Sequence, residues 1–130
     1  KYYQYVHDIF SFLNEKDIPI AIVTGASRDR IKEHLDEKIS VCLKALVTAD
    51  DVIHTKPHPE PYLSAANMLG INAKECLVIE NAILGIHSAK SAGCHCFALE
   101  TTLNATDLTE ADVVFDSHKN LLTKLMKLFN

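Results

Sequence analysis

The chain has 130 residues, of which 48% are hydrophobic and 23% are charged, with four glycines and four prolines. This composition excludes a disordered, collagen-like or low-complexity chain, and the length suits one domain, residues 1–130, with its own core. The formal net charge of −4 gives no indication of a nucleic-acid-binding surface. No apolar run is long enough to span a membrane, and no secretory signal pattern is present. The first residue is Lys1, so we expect a chain that is processed, trimmed or cut from something longer.

Helices and strands alternate along the predicted chain. Helical spacing of apolar residues predicts a first helix before Pro19, and further helices are predicted after Ser27, Pro59, Asn81 and Ser117. Short apolar runs predict five strands between them, over Ile20–Val23, 45–48, 76–79, His95–Leu99 and Val113–Phe115. This order is typical of an α/β fold, a three-layer Rossmann-like domain with a parallel sheet covered on both faces.

Three strand ends deliver polar residues to one edge of this predicted sheet. Ligands of open parallel sheets bind outside the carboxyl ends of the strands. Thr24-Gly25 ends the first strand there and offers a hydroxyl and free backbone N–H groups ahead of a helix, which is an anion site. Gly25 would let a phosphate approach the backbone closely. An ordinary strand-to-helix turn is the alternative interpretation of the same residues.

Lys56 and Glu80-Asn81 are the other two groups at this edge. Lys56 lies in the segment Lys-Pro-His-Pro-Glu-Pro-Tyr, where the prolines stiffen the chain and fix an ammonium that could stabilise phosphate charge. Glu80 and Asn81 follow an apolar strand directly, and their oxygen atoms suit Mg²⁺. Asn81 could also cap the helix that follows. Gly85, one turn into that helix, would let its backbone pack close to the sheet.

The remaining polar candidates are not assigned to a functional site. Cys94-His95-Cys96 resembles half of a zinc site, but the spacing favours apolar filling of a core in a reduced, cytoplasmic protein. The seven histidines show no i, i+4 pair with a supporting carboxylate motif, and no catalytic role is assigned to them. Asp50-Asp51 is interpreted as turn and capping chemistry.

At these residues the chain resembles the haloacid dehalogenase superfamily, in its phosphatase and β-phosphoglucomutase-like branch. Residues 22–27 resemble its phosphate-binding second motif, residues 56–62 its lysine motif, and residues 77–93 its acidic Mg²⁺ motif. The resemblance implies a HAD-like core that hydrolyses or transfers the phosphoryl group of a small phosphorylated metabolite through an aspartyl-phosphate. It implies catalytic roles for Thr24 and Lys56, phosphate binding by Thr24, Gly25 and Lys56, and Mg²⁺ on Glu80 and Asn81.

Two departures from the family pattern limit this resemblance. The nucleophile strand with its Asp-x-Asp motif and the helical cap domain are absent from this sequence, and Asn81 stands where the family usually has Asp. By resemblance, the missing strand lies between the strands that end at Thr24 and Glu80. We therefore expect the gap to be filled by an N-terminal segment or by a second chain, unless those two strands pair directly.

Two other functions are alternatives to a phosphatase. A receiver domain of two-component signalling has a similar length, but its phospho-acceptor Asp has no counterpart after Val47. A catalytically inactive HAD-like protein with a binding role stays open, because the nucleophile is missing and Asn81 is neutral. The substrate is not readable from this sequence, since the absent cap usually selects it. We expect no nucleic-acid or membrane partner.

Overall fold

The computed structural model describes residues 2–130, and they form six α-helices and five strands joined by turns and loops. In chain order the elements are α1 (Val6–Glu15), β1 (Ile20–Val23), α2 (Arg28–His34), α3 (Glu37–Ser40), β2 (Leu43–Val47), α4 (Glu60–Leu69), β3 (Leu77–Glu80), α5 (Ile83–Ser91), β4 (His95–Leu99), β5 (Val113–Phe115) and α6 (His118–Leu128). Single turns of 3₁₀-helix occur at Ala49–Asp51, Ala73–Glu75 and Ala105–Asp107. The α/β class predicted from the sequence is confirmed.

Helix boundaries follow local capping chemistry at three of the predicted positions. The Ser27 hydroxyl accepts a hydrogen bond from the backbone of the first turn of α2, and Ser117 does the same for α6. Gly70 ends α4 in the left-handed conformation, with φ of 69°, which glycine adopts without strain. The predicted cap at Asn81 is wrong, because α5 begins one residue later, after Ala82, and has no side-chain cap.

The five strands form two parallel sheets. One has the order β1-β2 and the other the order β3-β4-β5, and all the pairings are parallel. Within residues 2–130, no ladder joins β1 to β3, so each of these strands is paired along one edge alone. The alternative that β1 and β3 close up and pair directly is therefore wrong.

The core consists of two apolar clusters on the two faces of the β3-β4-β5 sheet. Alternate residues of a strand point to opposite faces, and Cys96 and Ala98 of β4 enter one cluster while Phe97 and Leu99 enter the other. The first cluster is covered by α5 and by Tyr62, and the second by α1 and α6. The sheet is therefore the middle of three layers, as the sequence predicted.

Among residues 2–130, no helix combines the length and the apolar character that are needed to cross a membrane.

Candidate functional site

The Lys56 ammonium lies between the carboxyl ends of the two sheets. Its Nζ donates to Oε2 of Glu80, at the end of β3, over 2.7 Å, and to the carbonyl oxygen of Val23, at the end of β1, over 3.4 Å. The side chain is 22% exposed, so the charge is partly shielded from water but still reachable. Lys56 is thus the polar link across the gap between β1 and β3.

Glu80 is the most enclosed charged group of the site, with a side chain that is 9% exposed. Besides Lys56, its Oε2 accepts a hydrogen bond from the Tyr62 hydroxyl over 2.5 Å, and its Oε1 accepts one from the Asn81 backbone N–H over 3.2 Å. Burial, together with the adjacent Glu80 carboxylate, raises the pKa of Tyr62 above its ordinary value. The phenol therefore keeps its proton and acts as a donor to Glu80.

Gly85 makes room for the Glu80 carboxylate. It is buried in the first turn of α5, and a Cβ atom built there would lie 2.1 Å from Cδ of Glu80. No side chain fits at that distance, so glycine is required for Glu80 to hold its place. The sequence predicts close packing of Gly85 against the sheet, and its close neighbour is this carboxylate at the end of β3.

The segment that carries Lys56 is anchored on both sides. On one side, the Glu60 carboxylate accepts hydrogen bonds from the backbone N–H groups of Ile53 and His54, each over 2.9 Å. On the other, the buried hydroxyl of Ser88 donates to the carbonyl oxygen of His58 over 2.6 Å. These bonds tie the segment to α4 and α5, which gives the lysine a fixed origin.

Thr24 and Gly25 form an open turn beside this lysine. The Thr24 backbone N–H continues the ladder to the Val47 carbonyl over 2.9 Å, and its hydroxyl accepts a bond from the N–H of Ala26 over 3.1 Å. Gly25 is exposed, and nothing lies within 4 Å of the place where its Cβ would be. The turn therefore leaves space for a ligand against the backbone.

Asn81 lies at the same edge and is exposed. Its Nδ2 donates to the Thr101 hydroxyl over 2.9 Å, which turns the amide so that its oxygen makes none of the hydrogen bonds found in residues 2–130. Asn81 and Glu80 can therefore offer oxygen ligands to a cation. Thr101, at the end of β4, was not singled out in the sequence, and neither was Ser88, because each acts on a residue far away in the chain.

The remaining sequence candidates have structural roles. The Asp51 carboxylate accepts bonds from the backbone and hydroxyl of Thr48, over 2.7 and 2.8 Å, and forms an ion pair with Arg28. These contacts, led by the Thr48 backbone N–H, lower the pKa of Asp51, which agrees with the capping interpretation. Cys94 and Cys96 are buried free thiols whose pKa values burial raises to about 11 and about 12.

Comparison with known proteins gives a consistent set of relatives. Residues 1–99 match the model of the family described as haloacid dehalogenase-like hydrolase. The chain is 39% identical over 103 residues to Validoxylamine A 7'-phosphate phosphatase of Streptomyces hygroscopicus subsp. limoneus, which covers 78% of this chain and 48% of that protein. It is 36% identical over 109 residues to Hexitol phosphatase A of Escherichia coli, which covers 84% of this chain and 50% of that protein.

A solved structure resembles the fold closely. The crystal structure of β-phosphoglucomutase from Clostridium difficile matches with a TM-score of 0.80 and 26% identity, covering 95% of this chain and 54% of that one. The chain thus spans about half the length of the curated relatives and of the solved structure that it matches.

Proposed function

Because the chain belongs to the haloacid dehalogenase-like hydrolase family, we propose that it forms the phosphate-binding part of an enzyme that hydrolyses or transfers the phosphoryl group of a small phosphorylated metabolite. Lys56 supports this most directly, since its ammonium is held at the junction of both sheets by Glu80 and the Val23 carbonyl. A cation fixed before substrate binds needs little reorganisation to stabilise developing phosphate charge.

In this proposal, Thr24 and Gly25 bind the transferring phosphoryl group and Lys56 neutralises its charge. The open space at Gly25 admits an oxygen atom close to the backbone N–H groups that precede α2. The Thr24 hydroxyl already accepts from Ala26, so its own proton remains for a phosphate oxygen. Glu80 also holds the ammonium in place, and Tyr62 supports Glu80 through its hydroxyl.

Glu80 and Asn81 would hold the Mg²⁺ that the family resemblance implies. The donor set fits an oxygen-preferring cation, because Asn81 presents an amide oxygen and Glu80 has one carboxylate oxygen without a side-chain partner. A bound Mg²⁺ would supply charge stabilisation for the phosphoryl oxygens. The site carries one negative charge fewer than a pair of carboxylates would. We therefore expect Mg²⁺ to bind weakly unless the substrate phosphate also ligates it.

The nucleophile must come from a strand that fills the gap between β1 and β3. An aspartate there would attack phosphorus through one carboxylate oxygen, the ester P–O bond would break, and the alcohol would leave with a proton. Water would then cleave the aspartyl-phosphate and release inorganic phosphate. We propose an N-terminal segment or a second chain as the source of this strand, because the facing edges of β1 and β3 each lack a partner in residues 2–130.

The test supplies that strand. An N-terminal segment with the Asp-x-Asp strand and cap that the family resemblance implies is joined ahead of Tyr2, and phosphate release is measured on a panel of small phosphate esters with Mg²⁺ or with a chelator. Turnover that needs both Mg²⁺ and the first Asp of the supplied motif supports the proposal. A folded fusion without turnover contradicts it, and an Asp→Asn change in the supplied motif is the matched control.

A catalytically inactive binding protein is the second candidate, and the neutral Asn81 favours it. That function predicts a folded fusion that binds a phosphate ester but releases no phosphate. Changing Asn81→Asp in the same fusion tests whether Asn81 faces the metal. If Asn81 serves the metal, the aspartate variant binds Mg²⁺ more tightly, whereas unchanged Mg²⁺ affinity assigns Asn81 to its contact with Thr101 alone.

A further inference from the structure

We propose that His54, His58 and Glu60 form a second metal site, separate from Glu80 and Asn81, which takes a divalent ion of the Zn²⁺ class. One ligand atom from each of the three side chains lies within 4.8 Å of the other two, the one such group of three in residues 2–130. The sequence assigned no metal role to these histidines, although His54 and His58 are four residues apart. They lie on the stiff segment on either side of Lys56.

The chemistry of the three ligands selects the ion. Two imidazoles and one carboxylate are a donor set that Zn²⁺ binds, with remaining positions open to water, whereas Mg²⁺ prefers oxygen ligands throughout. Glu60 is the anionic member, and its carboxylate is held by the backbone N–H groups of Ile53 and His54. Its single negative charge offsets part of the charge of a divalent cation.

The cluster is largely arranged before any ion arrives. The rings of His54 and His58 are stacked, with centroids 4.4 Å apart and planes 19° from parallel. Nδ1 of His54 lies 3.0 Å from Oε1 of Glu60, and the Glu60 carboxylate is held by two backbone N–H groups. Prolines flank His58, and Ser88 anchors its carbonyl. Little side-chain entropy therefore remains to be lost on binding.

Water and ions can reach the cluster. His54 is 60% exposed at its side chain and Glu60 is 27% exposed. Binding has two local costs. The hydrogen bond between Nδ1 of His54 and Oε1 of Glu60 must open if both of these atoms ligate the ion, and the Glu60 backbone N–H now donates to Nδ1 of His58 over 3.0 Å. If His58 ligates through that nitrogen, the N–H loses this partner and must turn to water, while ligation through Nε2 requires the proton to move to Nδ1.

A bound ion would join the two sides of the Lys56 segment. His54 precedes the lysine by two residues and His58 follows it by two, so coordination by both closes a short loop around it. Such a clamp holds the base of the Lys56 side chain without touching its ammonium. This inference does not depend on phosphoryl transfer, so either proposal can fail while the other stands.

Calorimetric titration with Zn²⁺ tests the site, on the chain without a histidine tag and on the strand-completed fusion, so that folding is secured in at least one form. We expect one site per chain that a large excess of Mg²⁺ does not displace. His54→Ala and His58→Ala should each weaken Zn²⁺ binding by about tenfold or more, and Glu60→Gln should weaken it too. Circular dichroism checks that each variant folds.

His87→Ala is the matched control. His87 and Glu110 form an exposed histidine–carboxylate pair at 3.2 Å that has no third metal-binding side chain in the described part of the chain. Unchanged Zn²⁺ affinity in His87→Ala, with loss in the His54 and His58 variants, supports the assigned site. Wild-type affinity in folded His54→Ala and His58→Ala, or absence of binding to the fusion, overturns it.

Discussion

Strands β1 and β4 are both short and apolar, yet they differ sharply in burial. All four residues of β1 are half-buried, whereas the last four residues of β4 are buried. The strand β4 has neighbours on both edges and an apolar cluster on each face, while β1 pairs with β2 alone in the described chain. Burial of a parallel strand thus depends on its neighbours as much as on its own side chains.

The two halves of the molecule also differ in how they reach the site. The β3-β4-β5 half contributes the enclosed Glu80 carboxylate, and the β1-β2 half contributes the open turn at Thr24 and Gly25. Lys56 belongs to the segment between them and bonds to both. The β3-β4-β5 half therefore holds an enclosed charge in place, whereas the β1-β2 half leaves space for a charged ligand.

Removing the lysine should have the largest effect. In the strand-completed fusion, Lys56→Met should lower kcat by about 10²–10³-fold, because a preorganised charge is lost from the site. Phosphate release under saturating ester is the measurement. Lys124→Met, on the exposed side of α6, should keep the parental rate, and equal rates in the two variants would remove Lys56 from the proposed chemistry.

Supplying the missing strand should slow amide hydrogen exchange in β1 and β3 and leave exchange in β4 largely unchanged. Hydrogen exchange followed by mass spectrometry or NMR should show that amides of β1 and β3 gain protection by about tenfold or more when the strand is supplied, since new ladder bonds contribute roughly 1 kcal/mol each. Amides of β4 should change least. Uniform protection across all strands would mean that the fusion stabilises the whole domain without entering the gap.

A pair of glycine variants tests the contrast between a filled and an open position. Gly85→Ala should lower the free energy of unfolding by about 2–3 kcal/mol, because its Cβ would meet the Glu80 carboxylate at 2.1 Å. Gly25→Ala meets nothing within 4 Å and should change the unfolding free energy by less than about 0.5 kcal/mol. Urea unfolding measures both, and a similar loss in each would contradict the contrast.

Removing the Tyr62 hydroxyl should destabilise the β3-β4-β5 half of the molecule by a smaller amount. Tyr62→Phe keeps the ring but takes one donor from Glu80, which retains Lys56 and the Asn81 N–H, so we expect a loss of about 1–2 kcal/mol of unfolding free energy. Tyr3→Phe, at a side chain that is largely exposed, is the control and should be neutral. An equally neutral Tyr62→Phe would show that the phenol does not support Glu80.

Lowering the pH should destabilise the β3-β4-β5 half of the molecule through Asp112. We expect this effect to be the smallest. The Asp112 carboxylate accepts bonds from Lys90 and from the Cys96 backbone N–H, and these lower its pKa below the ordinary 3.8. A depressed folded pKa gives stability that is present above the unfolded value and is lost as pH falls through the folded one. Asp112→Asn should therefore flatten the fall in Tm below pH 4, and an unchanged fall in this variant, measured by thermal unfolding across that pH range, would contradict the role of Asp112.

Local signals were sufficient to predict most of the fold. The bounds of β1, β4 and β5 agree with the apolar runs, and the caps at Ser27 and Ser117 and the helix stop at Gly70 follow from the chemistry of single residues. The sequence also placed Lys56 and Glu80 at one edge, because the carboxyl ends of parallel strands share an edge. Asn81 was wrong as a cap, because the helix starts after Ala82.

The contacts that complete the site were beyond local patterns. The Tyr62 hydroxyl meets Glu80 across 18 positions, and Asn81 meets Thr101 across 20, and neither pair has a characteristic spacing. The cluster of His54, His58 and Glu60 was missed for a different reason. His54 and His58 have the i, i+4 spacing, but Glu60 does not stand in a recognised carboxylate motif beside them, so the spacing alone did not indicate a metal site.

If the proposed strand enters the gap between the two sheets, this chain acts as an acceptor for a guest strand. A single extended peptide would form ladders with β1 on one edge and β3 on the other, so both sets of backbone groups would be satisfied in one insertion event. Such a chain, produced by itself, would also recruit its own copies through those edges at high concentration. If this chain is fused to one part of a split reporter and the strand to the other part, binding of the strand would bring the two parts together. The reporter signal would then measure strand binding directly.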